Sequence, residues 1–199
     1  MTRHLPEQAR RDQILSAARR CFIEGGFHPT RMDDIARAAN LSKGGIYFHF
    51  KSKQEVFDCL VNEEYVRSMD TIRAVRDGSG SVQQKLGALA QHYLEYFSSA
   101  PDAPRFFIVM GEMGLRDQKL AERLLEMQSA FITEIGKLLD QGIEEGVFRP
   151  VDTAIVAAIL KALVDGVEGL QALNYPMDLP RYLAVGMSVI MNGLVARPA

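Results

Sequence analysis

The chain has 199 residues, a mass of 22.2 kDa and a formal net charge of −2, with 47% hydrophobic and 24% charged residues. That balance excludes a disordered chain, and the best apolar run, 155–164, is interrupted by Lys161 and too short to cross a bilayer. Cys21 and Cys59 stand alone, which excludes a disulfide scaffold or cysteine-rich zinc site, and the opening MTRHLPEQARRDQ lacks the apolar centre of a secretion signal, so a cytoplasmic location is expected.

Helical periodicity runs through the chain, and the β-formers at 46–50 are a short run between helix signals. The first helix is predicted at 7–24, with Ile14, Ala17, Ala18, Cys21 and Phe22 on one stripe, Gly25-Gly26 stopping it and Phe27 folding back into the core. Thr30 is read as the N-cap of a short helix over 32–39, with Asp33 as the acid that follows and Ile35, Ala36 and Ala39 inward. A three-residue turn, 40–42, leads to a second short helix over 43–49, capped by Ser42. Ser52 and Glu55 form a capping box for a helix that runs to about 76.

The glycine-serine stretch 77–81 breaks the chain, and the next helix, 82–98, buries Val82, Leu86, Leu89, Ala90, Tyr93 and Phe97. Prolines around 100–104 break it again before a short apolar helix at 105–115. A long helix spans 118–145, with Leu120, Leu124, Met127, Phe131, Ile135 and Leu138 in line and Gly146 at its end. Asp152 caps a helix to about 173, 175–180 is a loop, and a last helix ends near 195. The expectation is an all-α fold of nine helices.

Two short helices joined by a three-residue turn describe a helix-turn-helix. The first needs small residues for close packing, which Ala36 and Ala39 supply. The second must present polar and small residues to a major groove; Lys43, Gly44, Gly45, Tyr47, Phe48 and His49 fit. Two glycines in a helix cost about 1 kcal/mol each, so close approach to a phosphate or base edge is the reason they suggest. Charge agrees: residues 1–53 hold ten Lys/Arg against five Asp/Glu, a net +5, and the remaining 146 residues hold thirteen against twenty, a net −7.

Over 13–57 the chain resembles the DNA-binding domain of the TetR family of transcriptional regulators. The match rests on Ile14-Leu15, Ala17-Ala18, Phe22, Gly26-Phe27, Thr30, Ile35-Ala36, Ala39, Ser42, Gly44, Tyr47, Phe50, Lys53 and Phe57. Arg31 stands where a second Thr is common, and Asn40-Leu41 where Gly-Val is common, departures that bear on local contacts alone. The resemblance implies a three-helix DNA-binding head, 1–53, and a ligand-sensing and dimerising body, 54–199. It implies that Thr30 and Lys53 contact phosphates, that Tyr47 and His49 lie on the DNA backbone with Arg31 at the same surface, and that Ser42, Lys43, Gly44 and Gly45 face the groove. Lys43 is the candidate for a guanine contact. Phe50 is read as core.

The family's body senses a small molecule and forms a homodimer. Tyr93, Phe107, Met110, Met113, Met127, Phe131 and Glu168 are the expected lining of an adaptable cavity, near Phe106, although an ordinary core accounts for the same apolar residues. His92, Tyr96 and Glu112 are further polar candidates. Ala157, Leu160, Val164, Val167, Met187, Ile190 and Met191 are expected at the dimer interface, because too many faces of the last two helices are apolar for one monomer. The partners implied are a double-stranded palindromic operator, a small-molecule effector and a second copy of the chain, with no membrane, metal or cofactor. The function implied is a ligand-released repressor. The alternatives are an architectural DNA-binding protein without ligand response, a thiol sensor using Cys21 or Cys59, and a small helical enzyme. For the enzyme, His4, His28, His49 and His92 show neither nucleophile nor metal spacing.

Overall fold

The computed structural model describes residues 6–195; Arg3 and His4 lie outside them. Among the described residues the chain forms nine helices: α1 (Glu7–Gly25), α2 (Met32–Ala38), α3 (Lys43–His49), α4 (Lys53–Asp77), α5 (Val82–Ser99), α6 (Ala103–Gly114), α7 (Gln118–Glu144), α8 (Thr153–Ala172) and α9 (Leu179–Leu194). The fold is all-α; among the described residues β pairing is limited to one isolated bridge between Phe148 and Val195. Among the described residues no helix is long and apolar enough to cross a membrane.

The caps explain most boundaries. The side chains of Ser42, Ser52, Asp152 and Asp178 each accept a backbone N–H at 3.1 Å from the residue three positions on. Asn40, at φ 53°, takes the left-handed conformation that the turn before α3 needs. Three details differ from the sequence reading. The cap of α2 is Arg31, whose backbone N–H donates to Asp34 (2.9 Å), while Thr30 is buried and donates its hydroxyl to Gly26 O (2.7 Å). Glu55 reaches past its cap to the Lys51 N–H (2.6 Å), one residue further back than a capping box requires. Helix α6 starts at Ala103, because Pro104 sits in the first turn, where its missing N–H leaves no hydrogen bond unmade.

Packing is continuous across residue 53. Phe57 of α4 lies edge-on to Phe22 (5.7 Å between ring centroids) and Phe27 (4.9 Å), and on its other side meets Phe106 of α6 (5.7 Å). The head core of Ile14, Phe22, Ile35, Ile46 and Phe50 therefore runs into Phe106, Val109 and Met113 of α6. A second core, built on Leu86, Phe131, Ile135, Leu138, Leu139 and Phe148, holds the far end of the body.

Candidate DNA interface and effector cavity

Helix α3 is anchored by Ile46 and by Phe50 just beyond its end, both fully buried. Arg11 of α1 fixes its C-terminus, donating to His49 O (3.1 Å) with its guanidinium 4.3 Å from the Phe50 ring centre. The opposite face carries Lys43, Gly44, Tyr47 and Phe48 to the surface, with Phe48 75% exposed. Lys43 forms an ion pair with Asp33 (3.2 Å); both are exposed, so the pair is weak and easily exchanged for another anion. A side chain at Gly45 would crowd Ser42 Oγ at 3.3 Å, which ties this glycine to the cap. A Cβ at Gly44 would meet nothing, so nothing inside the fold requires glycine there.

Thr30 and Lys53 are placed differently from Lys43. The Thr30 hydroxyl is spent on Gly26 O and Cys21 O, which holds the α1–α2 loop. Lys53 donates to Phe27 O (2.6 Å) and His28 O (2.9 Å) and lies 4.4 Å from the Phe27 ring centre, with its pKa lowered by burial. In this conformation both side chains brace the loop between α1 and α2.

The body holds a half-open cavity of about 440 Å³ between α4, α5, α6, α7 and α8. Of the expected lining, Tyr93, Phe107, Met110, Met127, Phe131 and Glu168 are in its wall. Met113 is not: it is buried on the side of α6 that faces the head core. Glu112 also points away and pairs with Arg116 on the surface. Sequence reasoning missed Glu64, Arg67 and Lys161, which bring charge to the wall, and Gln128.

Glu64 is the hub. It forms an ion pair with Arg19 of α1 and accepts the Tyr96 phenol (2.7 Å), while Arg67 lies 3.6 Å away. Arg19 also covers the Phe106 ring at 4.7 Å. The head helix α1 is thus joined through α4 to a cavity-lining tyrosine of α5. Burial and the neighbouring Glu64 carboxylate raise the Tyr96 phenol, so it stays a neutral donor. Lys161 pairs with Asp165, which also accepts from Gln128 (3.0 Å). Burial pushes the Glu168 carboxyl up to about 7 and lowers His92.

The outer faces of α8 and α9 form an apolar surface. Ile155, Ile159 and Leu163 stand out on α8, and Tyr182, Val185 and Val189 on α9, with Val189 68% exposed. This corrects part of the expected interface: Ala157 and Val167 are buried inside the monomer. Leu160, Val164, Met187 and Ile190 line a groove between α8, α9 and α5, and Met191 packs half-buried on the second core. A helix apolar on several faces offers no compositional sign of which face is inward.

Residues 14–60 match the family model described as bacterial regulatory proteins, tetR family, and residues 82–194 match BetI-type transcriptional repressor, C-terminal. The HTH-type transcriptional regulator YhgD of Bacillus subtilis (strain 168) is 27% identical over 192 residues, covering 94% of this chain and 97% of that one. The structure of SmeT in complex with triclosan superimposes with a TM-score of 0.76 at 25% identity, covering 95% of this chain and 93% of that one. A transcriptional regulator from Saccharomonospora viridis in complex with choline gives a TM-score of 0.80 at 22% identity, covering 96% of this chain and all of that one, a likeness of fold. With its helix-turn-helix head and its matched C-terminal body, the chain belongs to the TetR family of transcriptional regulators.

Proposed function

We propose that the protein is a repressor that binds a palindromic operator as a homodimer and is released when a small molecule enters the body cavity. The observation that carries this reading is the Arg19–Glu64–Tyr96 connection, which has one end on a head helix and the other in the cavity wall. A ligand that moves Tyr96 or Glu64 would disturb α1 and α4, and with them the spacing of the two recognition helices. Residues 1–53 contribute the DNA surface, with Lys43, Gly44, Gly45, Tyr47 and His49 toward the duplex, Ser42 setting α3, Arg31 beside them, and Thr30 and Lys53 supporting the loop. Residues 54–199 sense and dimerise. The complexes of two structural relatives with triclosan and choline support a small-molecule effector. An architectural protein without ligand response would have no use for a 440 Å³ cavity with charged groups in its wall.

The exposed α8–α9 face is the proposed dimer surface. The test uses an operator selected from random duplex DNA, in full-length and half-site forms. A dimer should bind the full palindrome about a hundredfold or more tighter than the half-site, as two linked contacts reinforce each other. Equal affinity for the two forms contradicts the dimeric reading.

A further inference from the structure

Glu168 is the charged group of the cavity wall that is answered by no direct partner: Lys161 attracts it, but pairs with Asp165. Among the described residues its carboxyl accepts no hydrogen bond and forms no ion pair. The other charges nearby are matched. Arg19 and Arg67 stand with Glu63 and Glu64, and Lys161 is taken by Asp165. Burial keeps His92 uncharged at neutral pH, so it adds no compensating positive charge. The surroundings are aromatic: Tyr93, Tyr96, Phe107 and Phe131 share the wall with Glu168. The Lys161 ammonium already lies 5.1 Å from the Phe131 ring centre and 5.9 Å from that of Phe107, so both rings face positive charge.

We propose that the cavity takes an organic cation with an apolar body, its positive group against Glu168 and its body among Tyr93, Tyr96, Phe107 and Phe131. This rests on the reading of the cavity as the effector site and names the chemistry of the effector. An anionic ligand would meet the Glu168 carboxylate or oblige it to take up a proton, and would have to displace Asp165 from Lys161 or Glu64 from the arginines. A neutral ligand would leave Glu168 as uncompensated as it is now. A cation supplies the missing partner and gains the ring faces as well.

Proton competition gives the proposal a second signature. The groups around Glu168 are Glu64, Tyr65 and Arg67 from α4, His92, Tyr93 and Tyr96 from α5, and Lys161 and Asp165 from its own helix; α6 and α7 add Phe107, Met110 and Gln128, which do not titrate. With the Glu168 carboxyl near 7, a cation competes with its proton, so cation affinity rises with pH between about 6 and 8 and then levels off.

The experiment is calorimetric titration of the full chain, free of DNA, with benzyltrimethylammonium, its uncharged carbon isostere neopentylbenzene, and phenylacetate. The cation should bind at least about tenfold more tightly than the isostere, and phenylacetate more weakly than either. Glu168→Gln should weaken the cation about tenfold or more, leave the isostere unchanged and flatten the pH profile. The isostere pair and the wild-type pH profile need no substitution, so they decide the matter even if the variant folds poorly. Equal binding of cation and isostere, tighter binding of phenylacetate, or a pH profile that survives Glu168→Gln would overturn the proposal. Operator release is measured separately by anisotropy. Release by an anion or neutral compound alone overturns the cationic class and leaves the regulatory reading standing. Cation binding without release upholds the class and removes the regulatory reading.

Discussion

Operator affinity should fall about a thousandfold between 50 and 200 mM salt, the loss expected when a dimer neutralises roughly six phosphates and releases their counterions. The motive is the charge division: +5 on residues 1–53 of each protomer and −7 on the rest, so the heads attract the duplex while the bodies repel it. Lys43→Ala refines the experiment. Its ammonium stands on the exposed face of α3, held by a solvent-screened pair with Asp33. If Lys43 reads a guanine, its loss costs about 1–3 kcal/mol, relaxes preference at one base pair and leaves the salt slope unchanged. Fluorescence anisotropy at four or five salt concentrations checks both points. Salt-independent binding contradicts the electrostatic head, and a uniform loss across operator variants with a slope smaller by about one makes Lys43 a phosphate contact.

Glu64→Ala should destabilise the protein by about 2–4 kcal/mol, somewhat less than the cost of breaking a fully buried ion pair from one side. The side chains of Glu64 and Arg19 are 13% and 16% exposed, and removing the carboxylate takes the ion-pair partner from the Arg19 guanidinium, leaving it over the Phe106 ring with Glu63 as the remaining negative neighbour. The Tyr96 phenol loses its acceptor in the same step. Tyr96→Phe removes that hydrogen bond alone and should cost about 1.5–3 kcal/mol, the range for a bond to a charged group. Adding Arg19→Met to Glu64→Ala should recover part of the loss, because the charge left without its ion-pair partner goes with it. Urea unfolding measures all three. A loss below about 1 kcal/mol for Glu64→Ala would show that the pair is screened like a surface contact and cannot hold head to body.

The sequence carried local information well. The stripe of Ile14, Ala17, Ala18 and Phe22 and the caps at Ser42, Ser52 and Asp152 depend on residues within a turn or two of each other, and each is where periodicity and side-chain chemistry put it. Competition between adjacent residues was harder to read. Thr30 and Arg31 both precede α2, and burial of the threonine under the α1–α2 loop decided which of them caps the helix. Met110 and Met113 share a short helix that is apolar almost all round. Because α6 is sandwiched between the head core and the cavity, three residues' difference buries Met113 in the core and leaves Met110 at its edge, in the cavity wall. The Arg19–Glu64 pair joins positions 45 residues apart, and a single contact at that range leaves no periodic trace. For the same reason nothing in the sequence marked Glu64, Arg67 and Lys161 as neighbours before the fold brought them to one wall.

The account stands on one cavity setting operator affinity, and Phe107 and Met113 separate that idea from general damage to the body. Phe107 lines the cavity, whereas Met113 is buried in the core that α6 shares with the head. The measurement is the concentration of a releasing compound, taken from a screen, that frees half of a labelled operator from wild-type, Phe107→Ala and Met113→Ala protein. Phe107→Ala should raise that concentration about tenfold through the lost aromatic contact. Met113→Ala should lower stability by about 2–5 kcal/mol and leave the concentration where it was. Superimposable release curves for wild type and Phe107→Ala, with both proteins folded and bound to operator, would contradict the account.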